Sequence, residues 1–369
     1  LPIDRTVISP YYLNRMKRKI GVVAFGGNRI APVWAEGNPN IPAQFKQTQL
    51  MANILAETFQ QYPEYSWVIT HGNGPQVGNR LARSQIAAST GKVFPEPLVM
   101  CGADSQGGIG YMLQQCLLKA LKKRGLKSFA TSIITQVVVS KDDPAFKNPT
   151  KYIGRAYTQE GIKEEFKTFK FLEKGSCGKP EYWVRYENGE KAIFRLYKRD
   201  IFRIVVPSPK PIDIAEFPAI VALIKAGIIP IAVGGGGIPV VKVNKGYQGV
   251  KAVIDKDLST ALLVKKLLKY YLKKVSIDFI VLTAIDRVYL NFEQINQKRL
   301  SSLTIDEARK YLKEGHFPLG SMGPKIQAGI KALRSGAERV IITSPEYLLK
   351  AMKEKAGTVL KQKKLTKTL

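Results

Sequence analysis

Ile228-Ile229-Pro230-Ile231-Ala232-Val233-Gly234-Gly235-Gly236-Gly237-Ile238-Pro239 is a short, β-branched apolar run that ends in four glycines. The same transition occurs twice earlier. Gly21–Phe25 runs into Gly26-Gly27-Asn28, and Trp67–Thr70 runs into His71-Gly72-Asn73-Gly74-Pro75-Gln76. Each marks the place where a parallel strand would hand over to a helix, and in open α/β sheets that carboxyl edge is where ligands bind. Glycine lets backbone N–H groups approach a ligand closely, and a helix start adds positive dipole. One such turn carries little weight, because tight βα turns need glycine anyway. Several side by side suggest a phosphate-handling enzyme.

Outward from these turns, strand-like runs fall at Ile20–Phe25, Trp67–Thr70, Phe129–Val139, Ile228–Val233, Phe279–Thr283 and Val340–Thr343. They are apolar without alternation, the pattern of strands buried on both faces of a parallel sheet. Helical spacing links Leu50, Met51, Ile54 and Leu55, then Ile109, Leu113, Cys116, Leu117 and Ala120, then Leu258–Leu272 and Ile326–Leu333. Strand–helix alternation predicts an α/β fold, a three-layer α/β/α sandwich around a mainly parallel open sheet. Tyr157–Arg203 breaks the rhythm. Tyr182–Arg185, Ala192–Tyr197 and Ile201–Val206 read as a small antiparallel element around an Asn188-Gly189 hairpin, a lobe protruding over the site.

The bulk numbers fit one large domain. The chain has 369 residues, ample for a sizeable core. Leu1–Lys19 is polar and proline-broken, so no secretory leader is expected. The most apolar stretch, Ala226–Val241, is rich in glycine and proline and shorter than the roughly 20 residues of a membrane helix. Cys101, Cys116 and Cys177 are sparse, as in a reducing cytosol, and with His71 and His316 they form no metal-ligand spacing, so no metal site is expected. The net charge of +29 attracts anions in general. Its lysines cluster at Lys265–Lys274 and Lys350–Lys367 among leucines at helix-like spacing, which reads as solvated helix faces. With no arginine-rich arm and no aromatic run, nucleic acid is not the expected partner, although the charge alone keeps it among the alternatives.

No P-loop and no G-x-G-x-x-G fingerprint is present. The groups left to handle phosphate are lysines in unusual settings: Lys151 after Asn148-Pro149-Thr150, Lys256 in Ile254-Asp255-Lys256-Asp257, and Lys325 closing Gly320-Ser321-Met322-Gly323-Pro324-Lys325. Phosphoryl transfer is mostly positioning plus neutralisation of charge on the moving group. Point charges flanked by glycine turns can supply both.

These motifs, with Gln106-Gly107-Gly108-Ile109-Gly110-Tyr111, Asp143-Pro144-Ala145-Phe146-Lys147 and Val206-Pro207-Ser208-Pro209-Lys210-Pro211, stand in the order found in the carbamate kinases. From about Val22 to Gly357 the chain closely resembles that branch of the amino-acid kinase family. The resemblance implies a homodimer, a cytoplasmic location, and reversible phosphoryl transfer between ATP and carbamate to give ADP and carbamoyl phosphate, with Mg²⁺. It implies a single domain over 20–369 after an N-terminal extension at 1–19. An acceptor half would span about 20–225, with the lobe inserted at 152–203, and a nucleotide half 226–369. By motif, Gly26, Gly27 and Asn28 would cradle the transferring phosphoryl group, and Gly72, Asn73 and Gly74 would hold the acceptor side. Lys151 would reach over carbamoyl phosphate, Lys256 would neutralise the transition state, Asp257 would organise the lysines, and Lys325 would contact the nucleotide phosphates. Gly235, Gly236, Thr283, Ala284, Tyr289, Ser321, Met322 and Gly323 would line the nucleotide pocket. A carbamate oxygen is already anionic and needs no general base. His71 would orient its own loop, and His316 would be structural.

The chain departs from the family pattern at four places. Ala284 stands where the family carries aspartate, Asp104 where it carries an apolar residue, and Tyr152 where it carries proline. The lobe is longer and has Lys198-Arg199-Asp200-Ile201-Phe202-Arg203 in place of the family's Gly-Arg-Gly-Tyr/Trp-Arg lead-in. Two other readings stay open on these grounds. One is a kinase of the same fold for another small carboxylate or phosphate acceptor. The other is a non-catalytic basic paralogue.

Overall fold

In the first strand, Arg18–Phe25 (β1), Ile20, Val22 and Ala24 pack into one core while Val23 and Phe25 pack into another. A strand whose two faces are both covered belongs in the middle of three layers. The computed structural model describes residues 18–26, 40–166, 169–175, 178–186, 191–318 and 321–362. From β1 the chain runs through helix Ile41–Gln61 (α1) to Tyr65–His71 (β2), then helices Gln76–Ala88 (α2) and Leu98–Lys123 (α3), then Ala130–Ser132 (β3) and Gln136–Val138 (β4). The next elements are Lys151–Tyr157 (β5), helix Gln159–Glu165 (α4), Phe169–Leu172 (β6), Glu181–Arg185 (β7), Lys191–Lys198 (β8) and Ile201–Val206 (β9). Asp213–Ile214 (β10) and helix Phe217–Lys225 (α5) lead to Ile229–Ile231 (β11), Ile238–Val243 (β12) and Gly246–Gly249 (β13). Helix Lys256–Tyr270 (α6) precedes Val275–Leu282 (β14), Val288–Leu290 (β15), Lys298–Leu300 (β16) and Ser302–Thr304 (β17). The last described elements are helices Ile305–Lys313 (α7) and Met322–Ser335 (α8), Arg339–Thr343 (β18), the short helix Leu348–Met352 (α9) and Thr358–Lys361 (β19).

The main sheet has the order β17-β19-β18-β14-β1-β2-β11-β3. All neighbours are parallel except β18 and β19. One face packs on α5, α6 and α8 through residues such as Ile224, Leu263, Leu267, Ile326 and Leu333. The other packs on α1 and α3 through Leu55, Ile109, Leu113 and Leu117. Burying each such side chain contributes about 1.5–3 kcal/mol before chain entropy is counted. The fold is the α/β sandwich with a mainly parallel sheet that the sequence predicts. A second sheet, β10-β4-β12-β13, extends beyond β3 and β11. The lobe is a five-stranded antiparallel sheet, β5-β9-β8-β7-β6, with its own core of Tyr182, Phe194 and Phe202 that continues onto Val77, Leu81 and Leu98 of α2 and α3. The Asn188-Gly189 turn lies outside the described residues, as does Cys177. Cys101 and Cys116 are free and buried.

Three elements differ from the sequence reading. Phe129–Val139 is two strands in two sheets, because Gln106 Oε1 accepts the Thr135 backbone N–H (2.7 Å) and breaks the run. Ile228–Val233 ends early, since Val233 takes a left-handed conformation (φ 54°). The segment from Lys350 is not one lysine-faced helix. Among the described residues only α9 is helical there, and Thr358–Lys361 adds a strand to the sheet.

A buried charge network ties three central strands at their amino ends. Asp278 of β14 accepts two bonds from Arg339 of β18 (2.9 and 3.0 Å) and one from Tyr65 of β2 (2.9 Å). Removing Asp278 takes from Arg339 its buried carboxylate and leaves it, among the described residues, only the Glu354 carboxylate at the surface (3.1 Å). Asp278→Ala is expected to lower the unfolding free energy by about 3 kcal/mol, the low end for breaking a buried pair, in urea titrations, with the m-value unchanged.

Candidate active site

The parallel order β14-β1-β2-β11 sets Thr283, Gly26, Gly72 and Gly234 along one carboxyl edge. Gly72 N–H bonds the Phe25 carbonyl (2.9 Å), closing β1 against β2 where both strands end. The turn after β11 fits only because it lacks side chains. A Cβ on Gly234 would lie 2.3 Å from His71 Nε2, and one on Gly236 2.4 Å from the Ile254 carbonyl oxygen. Gln106 Nε2 donates to the Gly234 carbonyl (2.6 Å), Thr135 Oγ1 accepts from Val233 N–H (3.0 Å), and Ser259 Oγ donates to the Gly236 carbonyl (2.7 Å). The glycine turn is thus bolted to α3, to the β3–β4 junction and to α6.

α6 starts at the centre of this edge. Asp255 is its N-cap: Oδ1 accepts from the N–H groups of Asp257 (2.9 Å) and Leu258 (3.4 Å). Its other oxygen, Oδ2, accepts from Lys151 Nζ at 2.7 Å, across 104 positions of sequence. Asp257 holds the other two lysines, Lys256 through Oδ1 and Lys325 through Oδ2 (3.1 Å). Lys325 Nζ also donates to the Ser321 carbonyl (3.2 Å). Backbone pairing sets the reach of Lys151. It stands opposite Val206 in the β5–β9 ladder, and Val253 N–H bonds the next carbonyl, that of Pro207 (2.9 Å).

Burial penalises every charge here, and the neighbours decide the outcome. Burial alone would raise the carboxyls of Asp255 and Asp257. The lysines overcome it and hold both below the usual carboxylate range, Lys151 first for Asp255 and Lys256 first for Asp257. Burial pulls Lys256 below its ordinary value, with Asp257 opposing and Lys325 adding to the fall. Burial acts on Lys325 in the same direction, but Asp257 and Asp255 raise it. Three ammonium groups against two carboxylates leave an excess of one positive charge, a preassembled site for an anion.

All four residues expected to be catalytic, Lys151, Lys256, Asp257 and Lys325, therefore meet at the start of α6, in two ion-paired groups, Lys151–Asp255 and Lys256–Asp257–Lys325, joined by the bond from Asp257 N–H to Asp255. Asn73 touches Gly235, whose Cβ would come within 3.0 Å of it, and Gly74 precedes the start of α2. Gly26 lies beside open space, while Gly27 and Asn28 fall outside the described residues. Thr283 binds β18 through the Thr343 carbonyl (2.9 Å), Ala284 is exposed, and Tyr289 donates to Asp286 (2.6 Å). Met322 and Gly323 are buried at the start of α8, one turn before Lys325. Asp104 faces Arg80 (3.4 Å). His71 is fully buried, and its Nδ1 bonds the Gly72 carbonyl (2.9 Å), so it does orient its own loop. His316 bonds Asn291 (2.9 Å). Asp255 as partner of Lys151 went unassigned by sequence reasoning. Its signal was the Asp-x-Asp spacing at a helix start, where the first aspartate caps and the second projects onward.

The sequence pattern of the Amino acid kinase family matches residues 19–344. The chain belongs to the amino acid kinase family. It is 40% identical over 343 residues to the carbamate kinase-like protein YahI of Escherichia coli, covering 92% of this chain and 98% of that protein. It is 38% identical over 337 residues to the carbamate kinase of Thermococcus kodakarensis, covering 91% and 97% respectively. The structure of Giardia lamblia carbamate kinase bound to AMP-PNP superposes with a TM-score of 0.74 at 32% identity, covering 93% of this chain and 98% of that one. This member of the family carries no helix, among the described residues, long and apolar enough to cross a membrane.

His71 gives the site a pH signature. Burial first, then the charge of Lys256, lowers its pKa from 6.5 to about 4 against the bond to Gly72. Above pH 6.5 folded and unfolded chains are both neutral at this ring. Between pH 6.5 and 4 only the unfolded chain takes the proton, so stability falls with pH, by about 3 kcal/mol in all. Buried carboxylates such as Asp255 and Asp257 add their own loss as the pH approaches 4, so denaturant titrations should show a steeper fall in the wild type than in His71→Asn, the difference reaching about 3 kcal/mol.

Proposed function

We propose that this chain is a carbamate kinase, transferring a phosphoryl group reversibly between ATP and carbamate to give ADP and carbamoyl phosphate. The observation that carries the reading is the set of three lysines, from the root of the lobe, the start of α6 and the start of α8, gathered on Asp255 and Asp257. Around it stand the glycine turn, the family membership and relatives named carbamate kinase over nearly their whole length.

In this reading Lys151 covers the carbamoyl group, Lys256 follows the phosphoryl group between donor and acceptor, and Lys325 takes the nucleotide phosphates. Gly26, Gly27, Asn28 and Gly72–Gly74 hold the acceptor side. Gly235, Gly236, Thr283, Ala284, Tyr289 and Ser321–Gly323 line the nucleotide side. Carbamate is small and offers little binding area, so positioned amides and ammonium groups must orient it. The aspartates keep the ammonium groups in place before substrate arrives, which lowers the reorganisation needed at the moment of transfer. Among the described residues no cluster of His, Cys, Asp or Glu could cage a metal, and Asp255 and Asp257 are engaged with lysines. Mg²⁺ is therefore read as part of the substrate, carried on the nucleotide phosphates. The same reading places the enzyme in the cytoplasm as a homodimer.

Purified protein with ADP, Mg²⁺ and carbamoyl phosphate should form ATP. A folded protein silent across temperatures would sink the reading in favour of another acceptor. Lys256→Ala is expected to lower turnover about 100- to 1,000-fold, as for loss of one transition-state donor, with little change in the KM for ADP. Lys325→Ala should instead raise the KM for ADP. An unchanged turnover number in Lys256→Ala would remove the role given to Lys256.

A further inference from the structure

The lobe buries an ion pair that its own folding does not require. Glu181 of β7 and Arg195 of β8 are cross-strand partners, with side chains 0% and 3% exposed. Arg195 Nε donates to Glu181 Oε1 (2.6 Å), and Trp183 Nε1 donates to Oε2 (3.0 Å). An apolar pair of similar volume would hold such a sheet as well, since burying two charges costs about what their attraction returns. Arg195 also reaches out of the sheet. Its Nη1 donates to the carbonyl of Pro149, two residues before Lys151.

The other side of Lys151 is tied in the same way. Arg203 of β9 stands opposite Arg195 in the ladder, and its Nη2 donates to the Gly154 carbonyl (2.7 Å), three residues after Lys151. Between them Tyr152 donates its hydroxyl to the Leu196 carbonyl (2.9 Å). Gly154 in turn lies against Gly78 of α2, where a Cβ would come within 2.0 Å of the Gly154 Cα. Proline, the residue the family carries after the lysine, would stiffen this segment through its ring. Here three bonds to the lobe bracket it instead.

We propose that Arg195 and Arg203, with Glu181 fixing Arg195, are positioning residues that clamp the backbone on both sides of Lys151 and so set where its ammonium group stands over the acceptor. This rests on the role given to Lys151 above. A guanidinium can serve Glu181 and Pro149 at once through its fork, which a lysine ammonium on a flexible stem cannot reproduce.

The test is Arg195→Lys, alone and in a Lys151→Ala background, with hydrogen exchange followed over residues 149–154. Arg195→Lys should lower turnover with carbamoyl phosphate about 10- to 100-fold, leave the KM for ADP within about twofold, and add nothing once Lys151 is absent. It should also speed exchange over 149–154 while leaving β6 and β7 protected. An additive loss in the Lys151→Ala background, or unchanged exchange over 149–154, would overturn the clamp. Should Arg195→Lys misfold, Glu181→Leu with Arg195→Met restores an apolar pair. That double variant should fold and still lose Lys151-dependent turnover, whereas wild-type turnover and protection would overturn the proposal. If the wild type itself forms no ATP, the kinase reading fails, and the exchange measurement alone decides the clamp.

Discussion

Everything at this site depends on how two aspartates at the start of α6 divide four oxygens. One oxygen of Asp255 ends the helix by accepting from two N–H groups, and the other holds Lys151. Both oxygens of Asp257 hold lysines. None of these charges could stay buried alone, because desolvation costs several kcal/mol per ion. Together they are stable, and they bring cations from three distant parts of the chain to one place. The surplus positive charge then has no internal partner, which is the condition for receiving a phosphate-bearing anion.

That cluster is only as well placed as the strands beneath it. Thr70 Oγ1 meets Thr260 Oγ1 at 2.7 Å, pinning α6 to the end of β2, and Ser259 pins it to the glycine turn. Lys151 is held differently. It rides on the lobe, whose core continues into α2 and α3, the helices that follow the His71–Gln76 turn. The lobe and the helix that follows this turn therefore share a packing surface, and a change in one is felt in the other because packed interiors transmit strain. The helix dipole at the start of α6 adds to the positive field at the same spot.

The sheet was legible because its signals are local. Ile20–Phe25 and Val340–Thr343 are β-branched and apolar, and they end in turns. The misses are long-range. Phe129–Val139 reads as one strand until Gln106, a helix residue placed 29 positions earlier, captures Thr135. Thr358–Lys361 sits in a lysine-rich segment and becomes a strand because β18 and β17 offer it free edges. Within the site, Lys151, Lys256 and Lys325 stood out through the motifs around them, since among 58 basic residues charge alone selects nothing. Asp255 could be read as a cap, but its bond to Lys151 spans the whole lobe and has no local trace. Glu181 and Arg195 were hidden for a related reason. In a sequence so rich in charge, a buried pair looks like any exposed one.

The +29 charge and the site are separate matters. Lys265, Lys269, Lys273 and Lys274 are exposed on and after α6, and at physiological ionic strength their fields decay over about 8 Å. They draw anions towards the surface without selecting among them, and salt weakens that attraction. Lys256 and Lys325 work under the opposite conditions. Asp257 sits with its side chain 3% exposed between them, so water and salt screen the group poorly. Under the proposed function, selection of a phosphoryl substrate falls to the few cations whose positions are fixed by buried carboxylates. The many free cations at the surface affect encounter rate and solubility.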